Sequence, residues 1–273
     1  MTPMPMELRP GFSPRPRARH IVFDFDGTLS WLRHGWPETM CEIFLRYYPR
    51  RDGESEHQVR QELVAEILST NGQPSIVQME KFFQRAQTRQ ASVPAPRELL
   101  QQYQERLDQI IAERSALIAG KQARADDFVV WGARPLLDLL HGRGFRLTVL
   151  SGTLESRVRE EAALLDLARY FEGRIYGSPA APGGFAKRAV LDKIMADEGL
   201  RGEELVCFGD GPVEIFHARE LGGLAVAVAS DENHNGSGQM DPLKRSQLLE
   251  AGAHVIVADY RDPSALTRVL FNE

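Results

Sequence analysis

Residues 20–29 read HIVFDFDGTL, and this stretch decides the fold. Residues 21–23 and Phe25 are apolar and strand-prone, which predicts a short strand buried on both faces, as at the centre of a parallel sheet. Asp24 and Asp26 lie at its carboxyl end, and the glycine and threonine that follow turn the chain away. In open α/β sheets this end of a strand is where ligands bind.

The two carboxylates allow two interpretations. Neighbouring like charges in a buried place repel each other, so a pair of aspartates there suggests a bound cation or a reaction. Alternatively, Asp24 and Asp26 are ordinary turn residues at a strand end, a position that aspartate often takes. The pair alone does not decide between the two.

The rest of the chain predicts an α/β fold with a doubly wound parallel sheet. Further apolar strand segments occur at 146–150, 205–208, 224–228 and 254–257, and helical patterns separate them. Strands that alternate with helices at this spacing are typical of a Rossmann-like sheet.

Two segments lie outside this alternation. Residues 31–127 contain helical patterns and no strand pattern, which predicts a helical insertion between the first and second strands of a core formed by 19–30 and 128–273. Residues 1–18 are rich in proline and arginine with almost nothing to bury, and they are expected to form a disordered tail.

Composition excludes several classes of protein. The 273-residue chain is 42% hydrophobic and has a formal net charge of −5, which argues against nucleic-acid binding through a basic surface. No stretch is apolar enough to span a membrane or to act as a signal peptide, so a cytoplasmic location is expected. Cys41 and Cys207 have no metal-site spacing, and two reduced thiols are expected.

Four motifs in order resemble those of the haloacid dehalogenase-like (HAD) hydrolases. DFDGTL at residues 24–29 resembles the first, Ser151 in VLSGT the second, Lys187 in FAKRAVLDKI the third, and GDGPVE at 209–214 the fourth. The resemblance implies a Rossmann-like core, with residues 31–127 as a helical cap of type C1.

The resemblance also implies a division of chemical roles. Asp24 would be the nucleophile that forms an aspartyl-phosphate, and Asp26 the general acid and then the general base. Because dehalogenases of the family typically lack a second aspartate here, dehalogenation is disfavoured. Asp24, the backbone carbonyl of Asp26, and Asp210 would hold Mg²⁺ through hard oxygen ligands.

Ser151, Gly152 and Lys187 would contact the phosphoryl group. The Ser151 hydroxyl and the Gly152 amide would donate to its oxygens, while helix N-capping is the alternative role of Ser151. Lys187 would neutralise charge on the nucleophile and the phosphoryl group. Glu214 stands where the family more often has aspartate, and it either reaches the site or is only a first-turn helix residue.

Arg33 and His34 follow the first motif and lie near the expected entrance to the site. They are candidate substrate-binding residues, because an arginine there could grip a second anionic group. A hinge or packing role is the alternative for each.

The sequence therefore predicts a Mg²⁺-dependent phosphatase that acts on a small phosphorylated metabolite, such as a sugar phosphate or a phosphoglycolate-like acid. A phosphomutase of the β-phosphoglucomutase type is the main alternative, and a non-catalytic phosphate-binding module is a weaker one. No nucleic-acid or membrane partner is expected, and the oligomeric state stays open.

Overall fold

A computed structural model of the chain describes residues 6–71, 73–179, 186–231 and 233–272. The strands are β1 (Met6–Leu8), β2 (His20–Phe23), β3 (Arg146–Leu154), β4 (Ile175–Ser178), β5 (Leu205–Gly209), β6 (Leu224–Val228) and β7 (Val255–Val257). The helices are α1 (Trp36–Leu45), α2 (Glu56–Leu68), α3 (Ser75–Gln87), α4 (Pro96–Ala119), α5 (Ala133–Gly142), α6 (Glu155–Leu164), α7 (Lys187–Glu198), α8 (Pro212–Glu220), α9 (Pro242–Glu250) and α10 (Pro263–Phe271).

The strands form one seven-stranded sheet in the order β1-β7-β6-β5-β2-β3-β4. All neighbours are parallel except β1, which pairs antiparallel with β7. Every residue of β2 is buried, as expected for a strand with neighbours on both sides and helices on both faces. The predicted α/β fold with a doubly wound, mostly parallel sheet is confirmed.

The sheet order explains where a site must form. β2 lies between β3 and β5, and Phe23 is in register with Val149 on β3 and with Phe208 on β5. The chain segments that leave the carboxyl ends of these three strands therefore meet at one edge of the sheet. That edge carries three of the four motifs.

The prediction of a disordered tail is wrong for the described part of residues 1–18. Met6–Leu8 forms β1 on the outer edge of the sheet, where Met6 pairs with Val257. Met6 and Phe12 also pack against the main hydrophobic core. The segment is ordered because it covers the free edge of β7, which its proline-rich composition does not reveal. Residues 1–5 lie outside the described residues.

Removal of residues 1–18 should therefore destabilise the protein without affecting its chemistry. The variant loses the β1–β7 pairing, the packing of Met6 and Phe12, and the Glu7–Arg245 ion pair. We expect the free energy of unfolding to fall by about 2–4 kcal/mol in urea titrations, with unchanged turnover per folded molecule. Unchanged stability would show that the edge strand is dispensable.

Helices α1–α4 make a separate apolar cluster. Residues such as Met40, Phe44, Phe82 and Leu99 are buried together in a core of their own, distinct from the core around the sheet. α2 begins with a capping box in which Ser55 and Gln58 satisfy each other's backbone amides. Among the described residues, no helix combines the length and apolar character needed to cross a bilayer.

Both cysteines are free and buried, as expected. Cys41 lies in the α1–α4 cluster and Cys207 in the cluster on one side of the sheet. Burial raises the pKa of the Cys41 thiol to about 11 and that of Cys207 to about 12. Both thiols are therefore protonated at neutral pH and act as small apolar side chains.

Candidate active site

Asp24 follows β2 directly and is held by the neighbouring strand. Its backbone amide donates to the carbonyl of Phe208 on β5 at 2.8 Å, and only 7% of the residue is exposed. This places the carboxylate at the carboxyl edge of the sheet, where its side chain lines a cavity.

Lys187 is the direct partner of Asp24. It is the first residue of α7, and its Nζ lies 2.6 Å from Oδ1 of Asp24 and also contacts Oε1 of Glu214. Burial alone would lower the pKa of Lys187, but the two carboxylates raise it well above its ordinary value. The side chain is therefore a permanent ammonium ion.

Burial raises the pKa of the Asp24 carboxyl above its ordinary value. The Lys187 ammonium opposes this shift, whereas the carboxylates of Glu214 and Asp210 reinforce it. A second cation near Asp24 would favour its ionised form, as the chemistry of a nucleophile requires.

Glu214 fits both interpretations that the sequence leaves open. It lies in the first turn of α8, and its side chain reaches Lys187. Its Oε2 atom is buried and has no hydrogen-bond partner among the described residues. Glutamate at position 214 is longer than the aspartate that is more usual at this position in the family that the motif resembles, and it still reaches the site.

Asp26 is turned toward β3 and the start of the helical segment. Its Oδ2 accepts a hydrogen bond from Oγ1 of Thr153 at 2.8 Å and lies 3.5 Å from Oγ of Ser151. Its Oδ1 lies 3.2 Å from Nε of Arg33. These contacts fix the orientation of the carboxylate, which lines the same cavity as Asp24.

The N-cap interpretation of Ser151 is wrong. β3 continues to Leu154, so Ser151 lies within the strand, and α6 begins only at Glu155. Leu154 pairs with Ser178 on β4 after a shift in register that begins at Leu150, so β3 continues beyond its predicted end. Ser151 and Gly152 both line the cavity, so their contact with a phosphoryl group stays a prediction.

Arg33 and His34 have different positions. Arg33 lines the cavity, but it is buried and paired with Asp26 and Glu161. Burial would lower the pKa of Arg33, and the two carboxylates instead raise it. His34 is absent from the cavity wall: its ring stacks on Trp31 and its Nε2 lies 3.0 Å from Arg114.

Asp210 completes the group of carboxylates. It follows β5 and lies against the backbone of Gly27, whose φ of +75° and missing side chain permit this approach, since a Cβ atom there would clash with the Asp210 carboxylate. Nζ of Lys244 lies 3.0 Å from Oδ2 of Asp210.

The donor set suits a hard divalent cation. Asp24 and Asp210 supply carboxylate oxygens, and the closeness of Asp210 to Gly27 places it next to the peptide that carries the Asp26 carbonyl. Across the described ranges, no three His, Cys, Asp or Glu side chains are grouped to hold a metal. The predicted set does not need such a group, since it has two side chains and one backbone oxygen.

These residues form the floor of a cavity of about 460 Å³ between the sheet edge and the helical segment. The helical side contributes residues from α1, the α2–α3 connection, α3 and α4, including Trp36, Asn71, Ile76 and Tyr103. Burial raises the pKa of Tyr103 well above its ordinary value, so its hydroxyl is neutral.

Three polar residues of the site are not evident from the sequence. Thr153, which follows Ser151 and Gly152 in the second motif, contacts Asp26. Lys244 is 2% exposed despite lying in the first turn of α9. The side-chain amide of Asn71 lies 3.4 Å from the backbone carbonyl of Asp210 and 3.5 Å from its carboxylate, across 139 positions of sequence.

Comparison with known proteins gives one family. The sequence model of the haloacid dehalogenase-like hydrolases matches residues 18–222 of the 273-residue chain. A search of curated proteins returns no match.

Several solved structures share the fold. A predicted phosphoglycolate phosphatase from Haemophilus somnus 129PT is 15% identical, with a TM-score of 0.61 over 92% of this chain and 98% of that one. A putative β-phosphoglucomutase from Thermotoga maritima is 17% identical, with a TM-score of 0.53 over 92% and 96%. A HAD family hydrolase from Deinococcus radiodurans R1, with bound phosphate and sodium, is 14% identical, with a TM-score of 0.57 over 94% and 96%.

Proposed function

The chain belongs to the haloacid dehalogenase-like hydrolases, and on this basis we propose that it is a Mg²⁺-dependent phosphatase of a small phosphorylated metabolite. One observation supports this most strongly. Asp24, with Lys187 at 2.6 Å, and Asp26 both line a cavity large enough for a metabolite. A cytoplasmic location stays a prediction.

The first chemical step is attack of Asp24 on the phosphoryl group. A carboxylate oxygen of Asp24 forms a bond to phosphorus while the bond from phosphorus to the ester oxygen breaks. Asp26 gives its proton to the departing alkoxide, so an alcohol leaves and an aspartyl-phosphate stays on the protein. Lys187 holds positive charge beside the reacting carboxylate throughout.

The second step releases phosphate. Asp26, now a carboxylate, removes a proton from a water molecule that attacks the phosphorus and frees Asp24. Thr153 and Arg33 keep the Asp26 carboxylate oriented in both steps, because each contacts a different oxygen of it. Mg²⁺ bound by Asp24, Asp210 and the Asp26 carbonyl would reduce the repulsion between the phosphate and these carboxylates.

We assign helices α1–α4 the role of a cap, consistent with their separate core and their position over the cavity. A closed cap excludes water and competing acceptors from the reacting atoms. Contacts between the core and the helical cap already exist: Arg157 of α6 donates to Asp108 of α4, with Nη2 2.9 Å from Oδ2. The substrate would be chosen by the cap side of the cavity, and the chemistry by the sheet side.

The test is release of inorganic phosphate from a panel of phosphate monoesters, including p-nitrophenyl phosphate, with Mg²⁺ and with a chelator. Turnover that requires Mg²⁺ would support the proposal. Turnover that survives complete metal removal, with re-addition having no effect, would contradict the metal dependence.

The same panel separates hydrolysis from transfer. In a phosphomutase, the phosphoryl group would pass from Asp24 to a sugar hydroxyl, so isomerised sugar phosphate would form faster than free phosphate. No product of either kind from a folded, Mg²⁺-loaded protein would favour the non-catalytic phosphate-binding module.

A further inference from the structure

The cavity above Asp24 has an acidic lining. Five carboxylates face three basic side chains, Arg33, Arg157 and Lys187. The three bases are all engaged by carboxylates of the chain. Lys187 contacts Asp24 and Glu214, so its charge is committed to the reacting centre.

Arg33 is held by two carboxylates, of which Glu161 is buried and Asp26 is partly exposed. Its guanidinium contacts Glu161 with two nitrogens and Asp26 with one, and its side chain is 11% exposed. If Arg33 turned toward a substrate, Glu161 would be left buried without its partner, which is strongly unfavourable.

Arg157 is engaged at the rim of the cavity. Its two terminal nitrogens contact the two oxygens of Asp108, with Nη2 at 2.9 Å from Oδ2. The pair joins α6 of the core to α4 of the helical segment, and both side chains are about 40% exposed. Because Asp108 is tethered, its effective concentration at Arg157 exceeds that of a dilute substrate carboxylate.

Among the described residues, no further lysine or arginine lines the cavity. Lys244 lies behind Asp210 and does not line the cavity. Outside the described ranges, the sequence has only two charged side chains, Glu232 and Glu273, and both are acidic. A second negative charge on the substrate would therefore meet an acidic wall.

The wall does offer neutral hydrogen-bonding groups. Gln73, Ser75 and Gln104 line it on the helical side. Primary amides donate and accept hydrogen bonds, as hydroxyl groups do, so they suit an alcohol with several hydroxyls. A carboxylate only accepts hydrogen bonds, so it uses only the donor groups of these side chains and leaves their acceptor oxygens without a partner.

From these observations, we propose that the substrate is a phosphate monoester of a neutral polyhydroxylated alcohol, and that Asp108 excludes acid-bearing esters by occupying Arg157. This inference rests on the proposed phosphatase function. It differs from the description of one fold neighbour, a predicted phosphoglycolate phosphatase.

The test compares two esters with the same three-carbon skeleton, glycerol 3-phosphate and 3-phosphoglycerate, in which a hydroxymethyl group is replaced by a carboxylate. For the wild-type protein with Mg²⁺, we expect kcat/KM to favour glycerol 3-phosphate by about tenfold or more. In Asp108→Asn, Arg157 is released, and we expect this ratio to shrink by about fivefold or more.

Asp197→Asn is the matched control, because it breaks an exposed ion pair with Lys193 by the same chemical change. It should leave the ratio of the two esters unchanged. Thermal unfolding of both variants checks that the fold is retained. A wild-type preference for 3-phosphoglycerate, equal use of the two esters, or an unchanged ratio in Asp108→Asn would overturn the inference.

A binding measurement separates this inference from the proposed function. If wild-type protein hydrolyses no ester of the panel, the phosphatase proposal fails. Calorimetric titration of Asp24→Asn with both esters and Mg²⁺ then decides the ligand class without turnover. Tighter binding of glycerol 3-phosphate would support the inference, and equal binding, tighter binding of 3-phosphoglycerate or no binding would overturn it.

Discussion

Replacement of Asp24 by asparagine should abolish turnover, with a loss of at least about 10⁴-fold, because the amide is a poor nucleophile and no neighbouring group replaces it. Lys187 keeps its contact with Glu214 in this variant, so the buried ammonium retains a partner and the fold should survive. Phosphate release from p-nitrophenyl phosphate measures the loss, and circular dichroism reports the fold.

A second readout shows whether the covalent bond forms at this position. Acid-quenched wild-type protein should gain the mass of one phosphoryl group on the peptide that contains Asp24, and Asp24→Asn should gain none. Asp197→Asn, an aspartate-to-asparagine change on the surface, should behave as wild type. More than a few per cent of residual turnover, with deamidation excluded by mass spectrometry, would reject Asp24 as nucleophile.

The position of Asp24 is readily predictable from the sequence for a physical reason. An apolar strand such as β2 must be buried on both faces, and parallel strands place their carboxyl ends together. Asp24 and Asp210 therefore share one edge of the sheet, and Lys187, at the start of α7, reaches the same place. The motifs follow strands that are neighbours in the sheet, and the order of the motifs along the chain therefore predicts that their side chains meet at one edge.

The parts that the sequence does not predict depend on contacts between distant residues. Arg157 and Asp108 are 49 positions apart on two helices, and nothing in either helix indicates the partner. Lys244 has the sequence context of a solvated first-turn lysine, yet it is buried against Asp210. Such pairs arise from the packing of helices against each other and against the sheet edge, which local patterns do not encode.

Two incorrect predictions from the sequence, the disordered tail and the N-cap role of Ser151, have the same physical cause. Met6–Leu8 is only three residues long and has prolines on both sides, but its backbone pairs with β7, and backbone pairing requires little from the side chains. Ser151 lies in a glycine-containing turn pattern, but pairing with β4 extends β3 to Leu154. In both cases the neighbouring strand determines the structure of the segment, and the local composition does not.

Replacement of Asp26 by asparagine should slow the first chemical step according to the leaving group. Asparagine keeps the shape of the side chain and can still accept from Thr153, but it has no proton to give to an alkoxide. For alkyl phosphates, whose leaving oxygen is strongly basic, we expect a loss of about 10²–10⁴-fold. Nitrophenolate is stable without a proton, so the same step with p-nitrophenyl phosphate should lose far less.

Rapid mixing resolves the two steps, because Asp26 also serves as base in the second. With p-nitrophenyl phosphate, Asp26→Asn should release a burst of nitrophenolate equal to the enzyme concentration and then turn over slowly, while the aspartyl-phosphate accumulates on Asp24. With alkyl phosphates no burst should occur. Equal losses for both leaving groups in the first turnover would remove Asp26 from the acid role, and its contacts with Thr153 and Arg33 would then indicate a purely positioning carboxylate.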